Sequence, residues 1–74
     1  MSRHSVKAGT PGTVLMIDVS VGDRVSADQV VVRLEIMKME IPVETPVGGR
    51  VISIHVQTGD IVAEGHLLVT IETP

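Results

Sequence analysis

Apolar and polar residues alternate with a period of two along most of the chain, which is the pattern of strands that cover a shared core. In each of five segments every second residue is Val, Ile, Leu or Met, and the residues between them are mixed or polar. The apolar positions are Leu15, Ile17 and Val19; Val30, Val32 and Leu34; Met39, Ile41 and Val43; Ile52, Ile54 and Val56; and Leu67, Val69 and Ile71. No stretch carries a helical stripe, so the pattern predicts an all-β fold of short strands joined by tight turns.

The pattern occurs twice, because the chain matches itself at an offset of 37 residues. Gly12 falls on Gly49, and the turn pair Gly22-Asp23 falls on Gly59-Asp60. Matching glycines, turns and apolar positions are hard to obtain together by chance, and a fixed offset is the mark of a duplicated unit. The sequence therefore predicts two copies of one β-unit that pack about a pseudo-twofold axis, as two packed sheets or a flattened barrel.

The segment around Lys38 joins the two copies. At the same offset Met1 falls on Lys38, so a twofold axis between the copies places this segment at the end opposite the chain termini. Strand-like alternation reaches the segment from both sides and leaves room only for a tight hairpin. Two-residue hairpins favour Asn-Gly or Asp-Gly, because their central residues need positive φ, and Met37-Lys38 breaks that rule. A local rule broken in an otherwise consistent sequence points to a functional constraint.

Composition limits the classes of protein that the chain can belong to. Its 74 residues make one domain, residues 1–74, and the absence of cysteine excludes disulfides, thiolate metal sites and cysteine nucleophiles. There is no Phe, Trp or Tyr, so the core must be built from Val, Ile, Leu and Met. A net charge of −3 without a basic stripe argues against nucleic-acid binding. No apolar run approaches the length of a transmembrane span. With no cysteine and no signal-peptide pattern at the start, we expect a cytoplasmic protein.

The residues around Lys38 resemble the attachment site of the biotinyl domain in the biotin/lipoyl attachment family. The resemblance covers essentially the whole chain, including the repeat, and is strongest in Met37-Lys38-Met39, with Glu35 before it and Glu40-Ile41-Pro42 after it. It implies a flattened β-barrel or sandwich of two four-stranded antiparallel sheets, a barrel-sandwich hybrid. Ile36 departs from the family, which usually has Ala or Ser there, and we expect this branched residue to affect how efficiently the lysine is modified. The chain has no room for the protruding thumb of some larger carriers, so it resembles the compact form.

The same resemblance implies a function and a set of partners. Lys38 would carry covalently attached biotin, added by a biotin protein ligase. The domain would then move carboxybiotin between a biotin carboxylase and a carboxyltransferase, as the carrier part of a biotin-dependent carboxylase. Glu35, Met37, Met39 and Glu40 are the expected recognition residues around the site. The resemblance implies no catalytic residue, because the cofactor supplies the chemistry and the protein supplies its placement.

Simpler interpretations of these residues stay open. Lys38 can be an ordinary solvated lysine. Met37 and Met39 can be core residues, since Met packs adaptably, and the phase of Met39 with the strand that follows predicts partial burial for it. Glu35 and Glu40 can form a general acid/base pair. They have no His or nucleophile near them in sequence, so we expect solvated charges that the ligase reads.

The histidines and the wider function also have alternatives. His4, His55 and His66 lack metal-ligand spacing, so we expect surface histidines and no metal site. A lipoyl carrier of the same fold is a second hypothesis, although lipoyl domains usually present Asp-Lys-Ala or a similar sequence at the tip. An unmodified β-sandwich module used for assembly or binding is a third. The mass of the native protein separates the three hypotheses, because it shows a biotin increment, a lipoyl increment or none.

Overall fold

The fold is described from a computed structural model that covers residues 1–74. The chain forms eight strands: β1 (Ser2–Lys7), β2 (Gly12–Ile17), β3 (Arg24–Val25), β4 (Val30–Ile36), β5 (Met39–Glu44), β6 (Gly49–Ile54), β7 (Ile61–Val62) and β8 (Leu67–Thr73). They make two four-stranded sheets, in the orders β1-β8-β6-β3 and β5-β4-β2-β7, and all the pairs are antiparallel. The predicted all-β sandwich of two four-stranded antiparallel sheets is confirmed. The structure contains no helix with the length and apolar character that crossing a bilayer requires.

The two halves of the chain have the same backbone pairing. Every residue pair between β2 and β4 recurs between β6 and β8, with residue numbers that differ by 37. Every pair between β4 and β5 likewise recurs between β8 and β1, so Ile36↔Met39 is equivalent to Ser2↔Thr73. The predicted duplication is therefore present in the backbone. A twofold axis that exchanges the β4–β5 hairpin with the chain ends places them at opposite ends of a domain with extents of 37 × 17 × 17 Å.

A β-bulge in β2 and its counterpart in β6 change which residues face the core. The pairing of β2 with β4 skips Leu15, and the pairing of β6 with β8 skips Ile52. Because a bulge inserts one unpaired residue, it interrupts the alternation of faces along the strand. Val14 and Val51, just before the bulges, are the buried residues. The prediction that Leu15 and Ile52 face the core is wrong, since Leu15 is 38% exposed and Ile52 is only half-buried.

A second pair of bulges lies at the start of β4 and of β8. The register with the neighbouring edge strand skips Val31 in β4 and Leu68 in β8. Both residues belong to the mixed face in the simple alternation, yet both are fully buried. Val30 and Leu67, which the alternation assigns to the core, are only half-buried. Each bulge in the first half therefore has a counterpart in the second half, as each strand pair does.

One apolar cluster fills the space between the sheets. It contains no aromatic residue, and burying each Val, Leu or Ile side chain contributes roughly 1.5–3 kcal/mol relative to leaving it exposed. Thr45 is the one buried polar residue, and its hydroxyl donates a hydrogen bond to the Val47 carbonyl oxygen at 2.7 Å. The cluster consists of Val6, Ala8, Val14, Val19, Val25, Val31, Val32, Leu34, Val51, Val56, Val62, Leu68, Val69 and Ile71.

Candidate functional site

The β4–β5 hairpin ends in a two-residue turn. Ile36 and Met39 form its last cross-strand pair, so Met37 and Lys38 make the turn by themselves. Their φ angles are 51° and 65°, in the left-handed region that a type I′ hairpin turn needs. Residues other than glycine disfavour this region by roughly 1–2 kcal/mol each. The unfavourable turn sequence is thus accommodated by backbone strain, a feature that clusters at functional sites.

The turn stands out into solvent. Lys38 is exposed and takes part in none of the three ion pairs of the structure. Met37 is 90% exposed and Met39 is 62% exposed. The prediction of partial burial for Met39 is wrong, because Met39 sits in the last pair of the hairpin, where the core no longer covers the strand. Two large exposed apolar side chains beside one lysine form a surface that a partner protein can contact.

Ile36 lies just before the turn and packs against the backbone of β2. It is half-buried and lies over Gly12, the first residue of β2. A Cβ atom on Gly12 would lie 3.0 Å from Cγ1 of Ile36 and 3.1 Å from the carbonyl oxygen of Glu35, so glycine leaves the space that Ile36 fills. The branched side chain of Ile36 is therefore in packing contact with the start of β2, behind the turn.

An ionic cluster lies on the outer face of the same sheet, behind the turn. The Arg33 guanidinium donates from Nη1 to Oε1 of Glu40 at 2.5 Å and from Nε to Oδ2 of Asp18 at 2.6 Å. The hydrogen bond to Glu40 and then the one to Asp18 raise the pKa of Arg33 above its usual value. Arg33 and Asp18 were not singled out in the sequence. The sequence could have indicated them by their place in the alternating pattern, because Asp18 and Arg33 both occupy polar positions between apolar ones.

The structure separates the two glutamates that were predicted to be solvated charges. Glu35 and Glu40 are exposed and lie directly opposite each other across β4 and β5. Glu40 has its carboxylate bound by Arg33, although about half of its side chain stays accessible. Glu35 takes part in none of the three ion pairs. Both carboxylates are exposed, as expected of solvated charges, and the structure adds an ion pair with Arg33 at Glu40.

The other candidate residues lie away from the turn. Nε2 of His55 lies 2.9 Å from the Thr70 hydroxyl and 3.0 Å from the Ser53 hydroxyl on the outer face of the second sheet. His66 is exposed and His4 is half-buried. No group of three or more His, Asp or Glu side chains is placed to hold a metal ion.

Fold and hairpin together define the class of the protein: a duplicated all-β domain with one exposed lysine on the turn at its end. A family profile described as "Biotin-requiring enzyme" matches residues 4–71, and the chain belongs to this biotin/lipoyl family. The resemblance found in the sequence is confirmed.

Curated relatives include proteins named for biotin. The chain is 43% identical over 70 residues to the biotin carboxyl carrier protein of Streptococcus mutans, which covers 95% of the chain and 54% of that protein. It is 42% identical over 68 residues to the biotinylated protein TB7.3 homolog of Mycobacterium leprae, which covers 92% of the chain and 96% of that protein. The chain thus spans about half of the first relative and nearly all of the second.

A solved structure gives the same fold. The urea carboxylase of Kluyveromyces lactis matches with a TM-score of 0.91 and 29% identity, over 97% of this chain and 6% of that one. The two-sheet domain is thus similar to a small part of a much larger carboxylase.

Proposed function

We propose that residues 1–74 form one biotin carboxyl carrier domain and that Lys38 is the residue to which biotin is attached. The observation that carries the proposal is the strained turn, which holds Lys38 out between two exposed methionines. The chain has one other lysine, Lys7, which lies in β1 opposite Leu67 and is not part of a turn. The domain is a non-catalytic carrier, as family membership indicates.

The residues present fit a covalently attached acid. An amide forms when Nζ of Lys38 bonds to the carboxyl carbon of activated biotin, while the activating group leaves that carbon and the amine loses its proton. A free carboxylate does not form an amide with an amine in water, so the ligase has to activate the carboxyl group of biotin before Lys38 receives it. No buried pocket is needed for this step, because the chain has only to present the amine. When bound, biotin accepts and releases a carboxyl group, and the chain supplies its placement.

The shape of the domain suits a mobile tether. The lysine stem extends from an exposed turn, and the chain ends lie at the other end of a domain 37 Å long. The arm therefore swings clear of the chain ends. A tethered cofactor has a raised effective concentration at every site within its reach, which is the advantage of carrying it on a protein.

Three partner proteins are part of the proposal. A biotin protein ligase would attach the cofactor, a biotin carboxylase would load it and a carboxyltransferase would unload it. Glu35, Met37, Met39 and Glu40 surround Lys38 and are the surface that these partners would read. The predicted cytoplasmic location is tested by cell fractionation with streptavidin detection.

A pair of lysine variants tests the attachment site. The parent chain, Lys38→Arg and Lys7→Arg are each expressed with a biotin protein ligase and analysed by intact mass and streptavidin blot. We expect one biotin increment on the parent and on Lys7→Arg, and none on Lys38→Arg. Arginine keeps the charge and length of the side chain at the turn, so circular dichroism should show an intact fold. Streptavidin binding retained by Lys38→Arg would refute the site.

The same mass measurement on protein from its native cell tests the cofactor. A lipoyl increment would favour a lipoyl carrier of this fold, and no increment in cells that biotinylate other proteins would favour an unmodified binding module. Either result would overturn the biotin proposal.

A further inference from the structure

Arg33, on β4, links β5 to the residue that follows β2, behind the lysine-bearing turn. It lies on β4 and binds Glu40 on β5 at 2.5 Å and Asp18, just after β2, at 2.6 Å. Glu40 is the second residue after the turn, so its bond to Arg33 holds the β5 arm of the hairpin against β4. β5 is an edge strand, whose only strand neighbour is β4. Through Arg33 the edge arm of the hairpin is tied to the centre of the sheet.

The other repeat has no such cluster. The residues equivalent to Asp18, Arg33 and Glu40 are His55, Thr70 and Arg3. His55 contacts the Thr70 hydroxyl at 2.9 Å, and Arg3 belongs to a separate, long ion pair of 4.0 Å with Glu72. In that half β1 and β8 end at the chain termini and are not joined by a turn. The ionic cluster is thus confined to the half in which the strands are joined through Lys38.

The charges next to the turn explain why a cation is needed there. Glu35 and Glu40 lie directly opposite each other, and like charges in that position destabilise a strand pair. The equivalent pair in the other half is Glu72 and Arg3, which have opposite charges. The hairpin therefore keeps two carboxylates beside the lysine, and Arg33 offsets their repulsion from the middle of β4.

We propose that Arg33 is a positioning residue for Lys38, which holds the strained turn in its presenting conformation by binding Asp18 and Glu40 together. The inference rests on the proposed function, since it assigns a part in presenting that same lysine. Without the guanidinium, the edge arm separates more readily and the turn relaxes. A ligase that binds only the presenting conformation then sees a smaller competent fraction, so its KM for the chain rises while kcat stays unchanged.

Four variants separate this role from a general contribution to stability. Arg33→Met keeps the apolar stem and removes both ion pairs. Asp18→Asn weakens the bond between Arg33 and the residue after β2. This bond lies on the opposite side of β4 from β5, so the variant leaves the residues of the hairpin itself unchanged. Arg33→Lys restores a charge but not the fork that binds two carboxylates at once. Thr70→Val changes the equivalent position in the other repeat and is the matched control.

Ligase kinetics with biotin and ATP give the first result. For Arg33→Met we expect KM for the apo chain to rise about tenfold, the size of effect when the competent fraction falls to a tenth, with kcat unchanged. Asp18→Asn and Arg33→Lys should lie between it and the parent, and Thr70→Val should match the parent. A parental KM for Arg33→Met, or an equal rise for Thr70→Val, overturns the proposal.

Amide hydrogen exchange on the apo chains gives a second result that needs no ligase. We expect the amides of Ile36 and Met39 to exchange faster in Arg33→Met, while those shared by β6 and β8 keep the parental rate. Unchanged exchange at the hairpin overturns the positioning role whatever the kinetics show. If the ligase labels no variant and not the parent, the proposed function fails, and the exchange experiment still decides whether Arg33 holds the turn.

Discussion

Replacing Met37 by glycine should stabilise the fold and weaken its modification. Met37 has a φ of 51°, and removing the Cβ atom of a left-handed residue stabilises the folded state by roughly 1–2 kcal/mol. Glycine also loses more backbone entropy on folding, which reduces this stabilisation by about 0.5–1 kcal/mol. The side chain is 90% exposed, so its loss removes little buried area. The net gain is about 0–1.5 kcal/mol, and its centre of about 0.75 kcal/mol raises Tm by roughly 3–6 °C in a domain of 60–100 residues.

Urea and thermal denaturation of the apo chains measure the effect, with two controls from the same chain. Asp28→Gly changes another left-handed residue, with φ of 71°, at the position where the other repeat has Gly65. Its gain should be smaller, because Asp tolerates this region better than Met. Met16→Gly removes a half-exposed methionine from β2, where glycine should destabilise by about 0.5–1 kcal/mol. A lower Tm for Met37→Gly would refute the claim that the turn is strained.

The same variant separates stability from recognition. If Met37 is kept at a strained position because partners read its side chain, the glycine variant should be labelled more slowly by the ligase although it is more stable. Parental labelling of a stabilised variant would remove Met37 from the recognition surface and leave its strain without a function.

Three further substitutions test the packing around the site and the register. In Gly49→Ala the new Cβ would clash with the carbonyl oxygen of Glu72 on β8, so we expect a loss of about 3 kcal/mol or more in urea denaturation; a loss below about 1 kcal/mol would contradict that close approach. Ile36→Ala empties a half-buried position, so it should cost about 1–2 kcal/mol yet be labelled at least as fast as the parent in a ligase time course; slower labelling would show that Ile36 assists modification. Leu68→Ala should cost about 2–5 kcal/mol, clearly more than Leu67→Ala, and the reverse order would refute the bulge in β8.

The duplication explains how much of the fold the sequence could predict. Gly12 and Gly49 mark equivalent strand starts, and their match at one offset already determines that the two halves pair alike. The polar strand β1 has no alternation of its own strong enough to predict it. Its equivalence to β5 does predict it, because Ser2 corresponds to Met39. A weak local signal was therefore recoverable from the repeat.

The burial of individual residues was harder to predict, because it depends on the bulges. Simple alternation assigns Leu15 to the core and Val31 to the other face, and the structure reverses both assignments. No residue type marks these bulges, since both skipped positions are ordinary strand formers. The apolar run at Val30–Val32 does show that alternation fails there, but not which residue is skipped.

The candidate site was predictable where it depended on the chain path and not where it depended on side-chain contacts. Lys38 could be placed at the tip because a two-residue turn was the only connection that the strands allowed. The ion pairs of Arg33 could not, because they connect β4 with β5 and with the residue after β2, and bulges shift the register on both sides.

A duplicated domain carries its own internal control for such contacts. The backbone pairing of the two halves is the same, so the fold alone does not account for a difference between equivalent side chains. At the positions of Arg33 and Glu40 the other half has Thr70 and Arg3, and only the first half closes into a turn. The left-handed turn and the ionic cluster are thus departures from the repeat in the same half of the molecule. Both departures lie at or behind Lys38, the residue to which the proposed function assigns the biotin.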